Sequence, residues 1–124
     1  MTLEDFVEYC IAKPGVKDEF PFGPDTLVFK VMGKVFVLSG VEDFDGMNLK
    51  CDPELAVELR EKYEAVKPGY HMNKTHWNTV KVNSDAPDKK IYDWIDHSYD
   101  LVVKSLTKKL REDLTKSNSQ NDTN

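Results

Sequence analysis

TLVFKVMGKVFVLS, residues 26–39, decides the fold. Two β-rich runs, 26–32 and 35–39, flank Gly33-Lys34, and a two-residue loop with glycine first joins antiparallel strands as a hairpin. Alternation then sets Leu27, Phe29 and Val31 on one face and Lys30 on the other. A sheet with one apolar face needs a cover, so the flanking segments should supply helices.

They do on both sides. Thr2 with Asp5 three residues later is a capping-box start, Leu3, Phe6, Val7, Cys10 and Ile11 follow at helical spacing, and Pro14-Gly15 ends the helix. KDEFPFGP (17–24) holds too much proline and glycine for regular structure and reads as a loop whose Phe20 and Phe22 pack down. MNLKC (47–51) alternates as a third strand, with Met47, Leu49 and Cys51 inward and Asn48 and Lys50 outward. Asp52-Pro53-Glu54 is an N-cap, a first-turn proline and an acid at the positive dipole end. It opens a helix with Leu55, Leu59 and Tyr63 on its buried stripe.

After the Pro68-Gly69 turn, NTVKVN (78–83) reads as a fourth strand, with Val80 and Val82 inward and Thr79 and Lys81 outward. Asp88 caps a long last helix in which Ile91, Trp94, Ile95, Val102, Leu106 and Leu110 share a face. The order is α-β-β-β-α-β-α. It makes an α+β two-layer sandwich, an antiparallel sheet packed against the terminal helices. The expected single domain spans residues 1–114, and 115–124 is a polar, disordered tail.

The 124 residues, 40% hydrophobic and 31% charged, fit one globular domain. No apolar run approaches the roughly 20 residues a bilayer requires. The acidic start, MTLEDFVEYC, is unlike a secretory leader, and Cys10 and Cys51 fall in apolar patterns as buried thiols would in a reducing compartment. These features point to a cytoplasmic protein without membrane contact.

The net charge of −5 argues against a general polyanion binder, but charge is unevenly placed. Residues 1–29 hold six acids against two bases, whereas Ala65–Ser84 holds no acid and carries Lys67, His71, Lys74, His76 and Lys81. Within it, VKPGYHMNKTHWNTVKV (66–82) is the candidate functional segment. Lysines 67, 74 and 81 suit phosphates, Tyr70 and Trp77 suit base stacking, and Asn73 and Asn78 suit base edges or a turn. Together with the outward Lys30 and Lys50, the candidate binding face is Lys30, Lys50, Tyr70, His71, Asn73, Lys74, His76, Trp77 and Lys81. Three phosphate contacts give a salt slope of only about −2.7, so such binding would be weak.

Other chemistries are thinly represented. His71 and His76 lie five apart, matching neither a helical nor a strand ligand pair, and His97 and Cys51 would join them only if folding allowed. Asp93, Asp96 and Asp100 are spaced as a solvated helix face. No nucleophile elbow, phosphate loop or paired-carboxylate motif is present. The expectation is a non-enzymatic binding module without cofactor or metal. Its partner would be DNA or another anion; the alternatives are a small ligand beside the Tyr70–Trp77 turn, or a protein partner meeting the acidic first helix. Exposure of the Trp77 ring separates them: a ring in a cleft suits a small ligand, and one on a basic face suits nucleic acid.

GPDTLVFKVMGKVFVL (23–38), LKCDPELAVELREKY (49–63), KPGYHMNKTHWNTVKV (67–82) and IYDWIDHSYDLVV (91–103) resemble, in order and spacing, the MmcQ/YjbR family. The resemblance covers roughly residues 3–106 and is most specific at PGYHMNK-x-HWNTV. It implies a frataxin-like (CyaY-like) α+β fold and a DNA-binding role through a double-wing motif. By analogy with frataxin, Glu4, Asp5, Glu8, Asp18 and Glu19 would form an acidic metal surface. Where relatives often carry arginine between the lysine and the histidine, this chain has Thr75, one positive charge fewer.

Overall fold

The computed structural model describes the backbone of residues 1–122 and the side chains of residues 1–116. Its elements, in chain order, are α1 (Leu3–Ile11), β1 (Val16–Glu19), β2 (Thr26–Val31), β3 (Lys34–Gly40), β4 (Gly46–Lys50), α2 (Pro53–Lys62), β5 (Val66–Pro68), β6 (Trp77–Lys81), α3 (Asp88–Ser105) and α4 (Lys108–Asp122). The strands form one antiparallel sheet in the order β1-β2-β3-β4-β6-β5. The α+β sandwich is therefore as expected, with an edge strand added on each side.

The two added strands correct the loop reading of 17–24 and the single-strand reading of 66–82. Val16–Glu19 pairs with β2 from Val16 opposite Val31 to Glu19 opposite Val28. Val66–Pro68 pairs with β6 from Val66 opposite Val80 to Pro68 opposite Asn78. Edge strands of three or four residues are built by backbone hydrogen bonds and require no apolar alternation.

The hairpin turn falls one residue earlier than its composition suggests. Val31 pairs with Lys34, so the loop is Met32-Gly33, and both residues have positive φ, 50° and 87°. A type I′ turn requires this at both central positions because its twist matches that of the strands. Methionine in the left-handed region is held by tertiary contact: its amide donates to the Gly15 carbonyl at 3.2 Å, and its side chain packs on the core. A register shift sets Phe29 opposite Val37 and Lys30 opposite Val35, so Phe36 is an extra residue, a bulge that turns both Phe36 and Val37 into the core.

The helices cover one face. Phe6 and Cys10 of α1, Ala56 and Leu59 of α2, and Ile91, Trp94, Ile95 and Val102 of α3 join Leu27, Phe29, Val31, Met47, Leu49, Val80 and Val82 in one cluster. Phe6 meets Phe29 edge-on at 5.6 Å, and Tyr63 meets Trp94 edge-on at 5.2 Å. Caps operate as read: Asp5 N–H donates to Thr2 Oγ1 and Thr2 N–H to Asp5 Oδ2, while Leu55 N–H donates to Asp52 Oδ2.

The last helix is broken where one continuous face was expected. Leu106 is extended and ends α3, and Leu110 N–H donates to Thr107 Oγ1 at the start of α4. The break lets Leu106 and Leu114 both reach the core, Leu114 lying against Gly15. Of the segment read as a disordered tail, 115–122 continues α4, and 123–124 lie outside the described residues. Among the described residues no helix is long and apolar enough to cross a membrane.

Candidate functional site

The sheet face opposite the core is not flat. Its rows run across strands by register: Val28 to Leu38, Leu38 to Asn48, Asn48 to Thr79 and Thr79 to Lys67. Side chains paired this way share a face, so one row passes from apolar through amide and hydroxyl to ammonium. Val28 is fully buried yet lies outside the helix-side core, so this end of the outward face is itself covered.

Above these rows lies a trough of about 1060 Å³. Thr26, Val35, Leu38 and Phe22 line one end, Lys67, Lys81, Tyr70 and His71 the other, with Gly40 and Gly46 between them. The volume lies just above the usual range for small-molecule sites, roughly 300–1000 Å³. Phe22 is 72% exposed and Tyr70 69%, so both rings border the trough without being spent on the core. That corrects the expectation that Phe20 and Phe22 pack down: Phe22 borders the trough instead of the core, and Phe20 is exposed as well.

One network fastens the loop 69–76 over the sheet. Tyr70 N–H donates to Thr79 Oγ1 at 2.9 Å, Thr79 O–H donates to Asn48 Oδ1, and the Asn48 amide donates to the Tyr70 carbonyl at 3.4 Å. From the other side, Arg60 of α2 donates through Nε to Asn78 Oδ1 at 2.7 Å and through Nη2 to the carbonyls of Lys74 and Trp77. Asn78 is buried and itself donates to the Ala56 carbonyl. Gly69 permits the close approach, since a Cβ there would lie 2.8 Å from Trp77 Cβ and 2.9 Å from the Trp77 carbonyl oxygen. His71 has φ of 58°, and its ring rests on Tyr70 with centroids 4.0 Å apart.

Of the nine candidate residues, Tyr70, His71 and Lys81 line the trough. Lys30 stands on the same face but forms an ion pair with Glu19 at 3.0 Å. Lys50 is half-buried opposite Trp77. Trp77 is half-buried on the outward face, beside the trough rather than in it. Asn73 accepts from the Thr75 amide, an Asx turn, and the Lys74 ammonium donates to the Gly69 carbonyl at 3.3 Å, so both serve the loop. His76 is exposed and contributes its carbonyl to the Cys51 amide.

Strand alternation set Asn48 and Thr79 outward, as the structure has them, yet neither they nor Lys67 entered the candidate set, and Phe22, Leu38 and Arg60 were not foreseen there. Among the described residues, neither Lys67 nor Lys81 has a carboxylate within 4.0 Å. Asp45 and Glu64 also border the trough. Asp85, next to it, accepts from the amides of Ala65 and Glu64 at 2.8 Å each. Those bonds, Ala65's first, hold its carboxyl below the ordinary value of 3.8.

Other chemistry-bearing groups lie elsewhere. Burial pushes the Cys51 thiol to about 11 and the Cys10 thiol to about 12, so both are protonated and inert at neutral pH. His97 Nε2 accepts from the Asp52 amide at 3.1 Å. Among the described residues, no three of His, Cys, Asp and Glu gather as metal ligands.

An α+β domain with helices on one sheet face and a polarised trough on the other is the class these features define. The chain belongs to the YjbR family, whose model matches residues 11–101. It is 35% identical over 113 residues to YjbR of Escherichia coli K12, covering 90% of this chain and 96% of that protein. It is 37% identical to YyaQ of Bacillus subtilis, covering 82% and 98% of the two chains. The crystal structure of Deinococcus radiodurans protein DR2400, a DUF419 domain, superposes with a TM-score of 0.86 at 36% identity, covering 92% of this chain and 88% of that one.

Proposed function

We propose that this protein is a binding module for a small organic anion, held in the trough on the open sheet face. The observation that carries the reading is the pair Lys67 and Lys81, two cations without ion-pair partners among the described residues, at one end of a mainly apolar floor. Apolar walls supply affinity through removal of surface from water, and the ammonium groups fix orientation. No reaction is assigned to the site: the trough offers donors, cations and rings, without a nucleophile–base pair.

Single-stranded nucleic acid is the second reading, favoured by the exposed rings of Phe22 and Tyr70 beside those lysines. Two phosphate contacts give a salt slope of only about −1.4 for a single strand, so a polyanion would be held loosely at physiological salt. Titration with anilinonaphthalene sulfonate, an apolar body with one anionic group, tests the first reading. Saturable 1:1 fluorescence enhancement by the folded protein, weakened at least fivefold in K67E/K81E, is the expected result. Absence of saturable binding, together with salt-sensitive binding of a short oligothymidylate, would transfer the site to nucleic acid.

A further inference from the structure

The two ends of the trough are too far apart for one compact ring to touch both. From Leu38 on β3 to Lys67 on β5 the path crosses β4 and β6, three strand spacings of about 4.8 Å, or roughly 14 Å. Between them the row carries Asn48 and Thr79, whose polar groups are bonded to each other and to the Tyr70 backbone, and beside it Gly40 and Gly46 add no side chain; a Cβ on Gly40 would meet nothing closer than the Asp25 carbonyl oxygen at 4.0 Å. The occupant must be long, narrow and apolar over most of its length, with charge at one end.

The charge at that end is also bounded. Lys67 and Lys81 face an incoming group together with His71, while Asp45 and Glu64 border the same trough. One carboxylate satisfies the two ammonium groups. Because Asp45 and Glu64 already balance the two lysines in number, each negative charge beyond the one that bridges them adds net repulsion, which disfavours di- and polyanions. Tyr70 and Phe22 offer ring faces and edges to a hydrocarbon chain passing between them.

Resting on the small-anion reading above, we infer that the ligand class is a medium-chain aliphatic monocarboxylate, its tail over Val35 and Leu38 and its carboxylate at Lys67 and Lys81. The inference deepens that reading by fixing length, charge number and direction.

Isothermal titration of the full chain with hexanoate, octanoate and decanoate, each below its micelle concentration, tests it. Each added methylene should tighten binding about fourfold, so that decanoate binds about fifteenfold more tightly than octanoate. K67E/K81E should lose at least tenfold for decanoate, and decylamine should bind wild type at least tenfold more weakly than decanoate does. Both lysines are exposed, and far-UV circular dichroism will confirm that the variant folds. Sulfonate binding without any dependence on carboxylate chain length would overturn the ligand class and leave the small-anion reading standing. Loss of both kinds of binding would overturn both. Equal affinity for decanoate and decylamine, unchanged by K67E/K81E, would show simple amphiphile adhesion and overturn the inference.

Discussion

The two faces of the sheet are made from the same strands and have opposite characters. Inward, Leu27, Phe29, Val31, Met47, Leu49 and Val80 are all buried beneath helices. Outward, the neighbouring positions Asn48, Thr79, Lys67 and Lys81 carry amide, hydroxyl and ammonium groups around an open trough. The inward face is fully accounted for by folding. The outward face holds exposed aromatic rings and, at Lys67 and Lys81, cations without an ion-pair partner among the described residues, and features of that kind are where binding is to be sought.

Substitutions should separate the faces in order of effect. Phe29→Ala on the inward face should cost about 3–5 kcal/mol by chemical denaturation, because a fully buried ring leaves a cavity beside Phe6. An outward substitution with an equal cost would erase the distinction. Gly46→Ala sits at the boundary. Its Cβ would lie 2.1 Å from the Val80 carbonyl oxygen, so β4 and β6 must part, and a loss of about 1–3 kcal/mol is expected by the same measurement.

Arg60→Ala should cost about 2 kcal/mol, since it strips charge-assisted bonds from Asn78, from the Lys74 carbonyl of the loop and from the Trp77 carbonyl at the start of β6. It should also weaken sulfonate binding, because the loop bearing Tyr70 and His71 loses its tie to α2. Stability loss without any change in binding would detach the clamp from the site. Leu38→Ser, half-exposed on the trough floor, should cost no more than about 1 kcal/mol yet weaken ligand binding severalfold.

The smallest effect concerns Asp85. Its carboxyl is held below 3.8 by the two amide bonds, so it contributes stability above about pH 4 that is lost as pH falls through the lower folded value. Asp85→Asn should be less stable than wild type at pH 7, and the gap should narrow in denaturation curves recorded toward pH 3. A constant gap would mean that the carboxylate's charge does not matter.

Much of the inward face was legible because it obeys simple periodicities: the capping box at Thr2, the Asp52-Pro53 start and the alternation in 47–51 and 78–82 all stand. On the outward face alternation set Asn48, Lys50, Thr79 and Lys81 correctly, but not which of its cations stand free, and one cause runs through those misplacements. Strands β1 and β5, VKDE and VKP, lack an apolar signature and are defined by pairing alone. Without β1, Glu19 could not be seen opposite Val28, so Lys30 read as a free cation. Without β5, Lys67 read as a loop residue and could not be placed in the row with Thr79. Arg60 escaped because a helical arginine that binds loop carbonyls leaves no spacing rule behind. The 66–82 run was rightly singled out as a unit, but its lysines diverge: Lys74 holds the loop, whereas Lys67 and Lys81 face the trough.

The most direct measurement is an amide chemical-shift map of the ¹⁵N-labelled protein titrated with decanoate. Shifts should concentrate at Leu38, Gly40, Asn48, Tyr70, Thr79 and Lys81 and leave the α1 and α3 amides in place. Shifts spread over α1 or α4, or none at concentrations that saturate sulfonate fluorescence, would contradict a binding site on the open face of the sheet.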